Sequence, residues 1–275
     1  MAREGPNLEE LKNGLEELGL SRRIRVQDLL EKAKQYPAAV ERKLDEKMPK
    51  FTRDYWWNAG DNMKVKMERT RKGCGQSLAE NGDDERLVCL GVDISGSIMI
   101  SDFYSGKPER KKRWISMGIA EQSATAAAAA GLAKEGKLSV LGTYATFAAD
   151  RNLDPILTAV CYGNFSVMIA GAHGGVSVGP DGATHQALED LFAMHGLPNV
   201  SVVVPCDVVE TRKATSYLLL QHVGPKYIRF LREAAPIVTD EKTSFVFGQA
   251  DVIRLRAKVR ISCGHSKRSG VFLSE

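Results

Sequence analysis

The sequence has few cysteines, no long apolar run and almost no excess of one charge. Its five cysteines, Cys74, Cys89, Cys161, Cys206 and Cys263, are odd in number and widely spaced. They form no CxxC pair, which argues against a disulfide framework and against a cysteine-based zinc site. No apolar stretch approaches the ~20 residues of a membrane helix. The opening MAREGPNLEELKNGLEEL lacks the apolar centre of a secretory signal. A reducing cytoplasm is therefore the expected setting, with no membrane partner. The charge balance of 38 − 34 = +4 over 275 residues is too small for a dedicated nucleic-acid binder.

What is present is ordinary for a globular chain: 43% apolar and 26% charged residues. The length is room for one large or two modest domains. Leu8, Leu11, Leu15, Leu18, Val26, Leu29 and Leu30 recur at helical spacing among charges, which predicts short amphipathic helices ending near Pro49. Trp56 and Trp57 then stand together in polar surroundings, as if covering a neighbouring surface. From Arg71 to about Val238 apolar runs alternate with helical patterns. The strand candidates are 86–94, 138–144, 166–173, 201–206 and 226–232, and the helix candidates are 118–133, 153–162, 184–195 and 208–221. Continuous apolar runs joined by long connections predict an α/β fold: a doubly wound, mainly parallel sheet with helices on both faces. The predicted domains are a helical extension over 1–67, the α/β domain over 68–238, and a remnant with a basic tail over 239–275. That last stretch predicts at most one strand, near 245–255, and then a frayed terminus.

In such a sheet, ligands collect at the carboxyl ends of the strands. Polar residues follow the apolar runs there: Asp93 with Ser95, Tyr144, His173, Asp207 and Arg232. In WISMGIAEQSATAAAAAGLAKEG, Glu121 and Gln122 open an alanine-rich helix. A carboxylate there complements the helix dipole. A helix this small and apolar is also expected to run through the interior, and a buried carboxylate needs a partner or a proton. In GAHGGVSVGPDGATHQALED, His173 and His185 bracket Asp181 in a glycine-rich loop. This is neither a P-loop nor GxGxxG, and the histidine spacing defines no metal site. Thr184 is expected to cap the next helix, placing His185 in its first turn as a neutral hydrogen-bond donor.

GIAEQ, GTYATF, HGGVSVGPDGATHQALED, LPNVSVVVPCD and GPKYIRFLRE, in this order, resemble the pyrimidine-binding domain of transketolase, a thiamine-diphosphate enzyme. The likeness covers roughly 68–235 and implies the thiamine-diphosphate-binding fold. It further implies that Glu121 is the catalytic glutamate that hydrogen-bonds N1′ of the aminopyrimidine ring and so promotes the tautomer that takes the thiazolium C2 proton. Tyr144 and Phe147 match aromatic residues packed around that ring, and Gly142 a close backbone approach to it. His173, Asp181 and His185 match groups that contact the ketose donor, with His185 also catalytic, and Arg232 matches an arginine that holds the sugar phosphate.

Two departures stand out. Asp150 occupies a position that is often aromatic in the family, and the diphosphate half is missing. AGDN (59–62), NGDD (81–84) and PDGA (180–183) lack the context of the family's metal-binding GDG motif. The resemblance therefore implies a transketolase-like transferase subunit or fragment that moves a two-carbon ketol group between sugar phosphates, as in the pentose phosphate pathway. It would need a diphosphate-binding partner domain, which holds the Mg2+ or Ca2+, and would bind the cofactor poorly alone. No metal ligand is assigned within this chain, and a homo- or hetero-oligomer such as a dimer is expected. The alternatives are a deoxyxylulose-phosphate-synthase-like subunit, a 2-oxoacid dehydrogenase β-like subunit, or a silent truncated paralogue acting as an interaction module.

Overall fold

Five of the apolar runs assemble as neighbours in one sheet. The computed structural model describes residues 55–58, 63–256 and 259–264, besides the isolated Glu9, Asn13 and Glu31. Side chains are described between 66 and 249, apart from those of residues 129 and 180. The chain divides into two units, 1–65 and 66–275. In the first, β1 (Tyr55–Asn58) carries the tryptophan pair on a strand. The surface these tryptophans were expected to cover, and nearly all of the expected helical extension, lie outside the described residues.

β2 (Met63–Arg69), of which residues 66–69 belong to the second unit, leads into α1 (Thr70–Glu80). Then follow β3 (Leu87–Gly91), β4 (Trp114–Ser116) and the helix α2 over 121–134. β5 (Leu138–Tyr144) and α3 (Ala145–Ala149) precede the helix α4 over 153–161. The remaining elements are β6 (Val167–Ala172), α5 (Asp190–Gly196), β7 (Ser201–Val203), α6 (Val208–Leu220) and β8 (Lys226–Arg229). After them come β9 (Ala234–Pro236), β10 (Ala250–Arg256) and β11 (Val259–Gly264).

The six-stranded sheet runs β4-β3-β5-β6-β8-β7, and every pairing in it is parallel. Alternate residues of each strand face opposite cores, as the period of two requires. Cys89, Val140, Met168 and Ile228 pack with Cys74, Leu78, Ala214 and Leu218 of α1 and α6. Their neighbours Leu90, Leu141, Ile169 and Tyr227 pack with Ala124, Ile156, Val160 and Met194 of α2, α4 and α5. The sheet is thus covered by helices on both faces.

At the crossing of α1 on α6, a Cβ at Gly73 would meet the Val208 carbonyl oxygen at 2.2 Å. Glycine is what lets these two backbones touch. α6 starts at Asp207, whose Oδ1 accepts from the Glu210 N–H over 2.9 Å. Asp207 Oδ2 also accepts from the N–H groups of Val238 and Thr239 at 2.8 and 2.7 Å. This fully buried residue is a helix cap and strap anchor, which corrects its place among the rim residues.

Three further expectations change. The helix expected over 184–195 begins only at Asp190; Ala183–His185 forms a separate 3-10 turn. Gln186 is extended and Gly174 bridges Ala187, so the chain breaks off before the helix starts. α2 is not wholly interior, because Gln122, Ser123, Ala126 and Ala127 are exposed. The tail expected to be unstructured contains β11, paired antiparallel with β10. Among the described residues no helix is long and apolar enough to cross a membrane.

Candidate active site

Because the sheet is parallel, the carboxyl ends of its strands share one edge, where the connections after β4, β5, β6 and β8 meet. α2 follows β4 and opens as a short α-turn, Glu121–Ser123. It then widens into a π-helical stretch, Ala124–Ala129, and returns to α over Ala130–Lys134. π-Turns of this kind are common at functional sites. The alanines let this helix pack closely on α4, which is itself π-helical over Ile156–Cys161. Asn152 Nδ2 donates to Thr125 Oγ1 over 2.6 Å and ties the two together.

Glu121 is only 3% exposed, as its place in the helix predicts. Arg151 answers its charge: Nη1 donates to Glu121 Oε2 over 3.1 Å. The same guanidinium lies over the Phe147 ring, 4.4 Å from its centroid. Phe147 stacks on Tyr144 with centroids 5.9 Å apart and planes 17° from parallel. Tyr144, at the end of β5, meets the His173 ring edge-on at 4.2 Å. The His185 ring stands 5.3 Å from Phe147 and 6.1 Å from Tyr144. Glu121, Arg151, Phe147, Tyr144, His173 and His185 therefore form one continuous cluster. His185 reaches it from the 3-10 turn, with Nδ1 2.9 Å from the Thr184 hydroxyl, so Thr184 orients the ring rather than capping a helix.

His173 is the most unusual member. It lies just past β6 with φ of 61°, is 1% exposed, and neither ring nitrogen has a partner. Buried polar atoms without partners are costly and call for a reason; these two nitrogens suit a ligand. Burial, with Arg71, Arg232, Arg69 and His185 nearby, pushes the imidazole down to about 3. It is a neutral ring at ordinary pH, able to accept or donate one hydrogen bond at each nitrogen.

Asp181 and Arg232 form a second group. Arg232 Nη1 lies 3.0 Å from Asp181 Oδ2 and donates to the Val178 carbonyl over 2.7 Å. Arg71, which the sequence pattern did not single out, joins them from α1. Its Nη1 donates to the carbonyls of Leu231 and Arg232, its Nε has no partner, and burial pushes it down to about 10. No sequence signal pointed to it, because TRKGCGQSLAE does not read as a helix.

Gly142 packs tightly against the core. A Cβ there would sit 1.9 Å from Ile100 Cδ1 and 2.8 Å from Ile98 Cδ1. The close approach is to packed isoleucines, so the glycine serves the core beneath the cluster. Asp150 is exposed and accepts from the Thr146 hydroxyl over 3.1 Å. Asp93 also lies exposed, with φ of 61°. Among the described residues no group of three His, Cys, Asp or Glu side chains is placed to hold a metal. A cavity of about 600 Å³ lies elsewhere, between α6 and residues 241–247. Two of its cations are already engaged, Arg212 by Glu80 and Glu241 and Lys213 by backbone carbonyls.

Known proteins resemble this chain over the stretch that holds these residues. The family described as transketolase, pyrimidine binding domain, matches residues 66–237. An apulose-4-phosphate transketolase subunit of Actinobacillus succinogenes is 34% identical over 185 residues, 67% of this chain and 57% of that protein. A 6-deoxy-6-sulfo-D-fructose transketolase subunit of Clostridium sp. is 32% identical over 178 residues, 65% of this chain and 54% of its own length. The chain thus spans little more than half of these relatives. Among solved structures, a split-gene transketolase, described as an inactive beta4 tetramer, is 38% identical with a TM-score of 0.59, covering 68% of this chain and 59% of that one. The transketolase of Campylobacter jejuni shares the fold, with a TM-score of 0.61 at 21% identity, over 86% of this chain and 37% of that one.

Proposed function

The chain belongs to the transketolase family by its pyrimidine-binding domain, and from that membership we propose that it is the pyrimidine-side subunit of a split transketolase-like transferase. Residues 68–238 form the working domain in this reading. The observation that carries it is Glu121: a carboxylate held out of solvent and linked through Arg151 to the stacked rings of Phe147 and Tyr144. A buried carboxylate can share a proton with a ring nitrogen, and the flat aromatic faces fit a planar heterocycle. These residues, with the unpartnered nitrogens of His173, fit the aminopyrimidine half of thiamine diphosphate. The bound cofactor supplies a carbanion-stabilising centre for breaking and making a carbon–carbon bond beside a ketone.

Within this chain, Glu121 holds or yields the proton at the ring nitrogen. Tyr144 and Phe147 orient the ring and exclude water. His173 and His185 offer hydrogen-bonding ring nitrogens to hydroxyl groups of a ketose donor. Asp181 reads a further hydroxyl while its partner Arg232, with Arg71, holds an anionic end. The two named relatives take their names from a sugar 4-phosphate and a sulfonated sugar, both anionic, which suits a pair of arginines. A separate subunit carries the diphosphate and its Mg2+ or Ca2+, and the active assembly is an oligomer of the two.

The test is reconstitution with a diphosphate-binding subunit, assaying transfer of a two-carbon ketol unit between sugar phosphates. Glu121→Gln is expected to lower kcat by about a hundred-fold or more while leaving assembly intact. Full activity in that variant would overturn the assignment. Turnover of pyruvate in place of a ketose donor would shift the reading to a synthase-like subunit.

A further inference from the structure

We infer that Arg151 is the resident occupant of the ring slot: its guanidinium fills the space between Glu121 and Phe147, and a planar heteroaromatic base binds by displacing it. The inference rests on the reading of that slot given above. Arg151 makes both interactions that an aminopyrimidine needs there. Its Nη1–H meets the Glu121 carboxylate at 3.1 Å, and its flat face lies 4.4 Å from the Phe147 centroid. A guanidinium is planar, edged with donors and well suited to stacking, so it reproduces the shape and hydrogen bonding of a protonated ring nitrogen.

The two partners of this ion pair are unequal. The Glu121 side chain is 4% exposed and Arg151 is 45% exposed. The carboxylate cannot leave, whereas the guanidinium can swing out and be hydrated. The backbone beside it is pinned: Gln122 Nε2 donates to the Arg151 carbonyl over 3.0 Å, and the neighbouring Asn152 is tied to Thr125. Displacement therefore needs a rotamer change and no movement of α2 or α4. The device also meets a physical need. A buried carboxylate without a counter-charge is strongly destabilising, and Arg151 compensates Glu121 until a base takes over that hydrogen bond. With its guanidinium 45% exposed, the pair can be exchanged for a ligand that takes over the hydrogen bond.

The experiment titrates the full chain with 4-amino-2-methylpyrimidine, which needs neither diphosphate partner nor metal, and follows binding by NMR. Arg151→Met keeps an apolar stem and removes the competitor, so it should bind the fragment about 5- to 10-fold more tightly than wild type. Added salt should tighten wild-type binding by weakening the ion pair, and leave Arg151→Met unchanged. Arg151→Lys retains a charge for Glu121 without the stacking plane. It should fall between the two, and it decides the matter by itself if the methionine variant does not fold. Equal or weaker binding by the variants, with wild type still binding, would overturn the displacement and leave the slot's assignment standing. Binding by none of them would overturn the assignment of the slot and the displacement together.

Discussion

The Tyr227 hydroxyl donates to Asp190 Oδ2 over 2.8 Å, joining the buried middle of β8 to the first turn of α5. Arg229 Nε reaches the same oxygen at 2.9 Å, and its Nη2 donates to the Ala187 carbonyl. Asp190 is fully buried, so it fixes the end of the loop that carries Asp181 and His185. Removing it strands a largely buried cation and a buried hydroxyl. Asp190→Ala is expected to cost about 3–5 kcal/mol, and Tyr227→Phe about 1 kcal/mol, in urea denaturation. An alanine cost below that of Tyr227→Phe would show that the network does not hold the loop.

Gly142 makes a sharper test of packing. Gly142→Ala drives a methyl into Ile100 Cδ1 and should destabilise by about 1–3 kcal/mol. Ile100→Val deletes that same carbon. The double variant should recover a substantial part of the loss, giving a favourable coupling energy in a double-mutant cycle. Additive losses would show that the strain is relieved elsewhere.

His173 sets a pH dependence. Its folded pKa is pushed down to about 3, below the ordinary histidine value of 6.5. The unfolded chain therefore takes up a proton first as pH falls. The stability is fully present above about pH 6.5 and is lost progressively as pH drops from there towards 3, by about 2 kcal/mol at pH 5. His173→Asn should remove this part of the acid loss. Denaturant midpoints for both proteins near pH 7.5 and near pH 5 measure it, and equal losses would refute it.

Asp207 is expected to matter for stability and not for catalysis. Asp207→Ala removes the α6 cap and two backbone anchors of the 238–239 segment. A loss of about 2–4 kcal/mol is expected. The kcat of the reconstituted enzyme should stay within about two-fold at a temperature where the variant is folded.

The parallel sheet was legible because its central strands are buried on both faces. LSVLGTY reads as a strand and forms one over those residues, Leu138–Tyr144. The helix that bears Glu121 was equally plain, since small residues followed an acidic first turn. α1 was not legible: TRKGCGQSLAE has two glycines and few apolar residues, so local propensity hides a helix whose stability comes from α6. β4 is a three-residue edge strand, too short for a periodic signal. The helix expected through His185 failed because the backbone of the glycine-rich loop, with φ of 77° at Gly182, leads into a 3-10 turn. Arg71 and Arg151 were hidden for another reason. Each stands in a polar stretch that reads as solvent-facing, and only the fold turns it towards the cluster.

The order of strands also has a consequence for synthesis on the ribosome. β8 inserts between β6 and β7, although β7 comes earlier in the chain. Until β8 emerges, the open edge of β6 presents unpaired peptide groups flanked by VMIAGA, and β7 has no neighbour in this sheet. Such an edge invites pairing with another nascent chain. Translation arrested before Lys226 should therefore yield aggregating, chaperone-bound chains, and release past Arg229 should cure them.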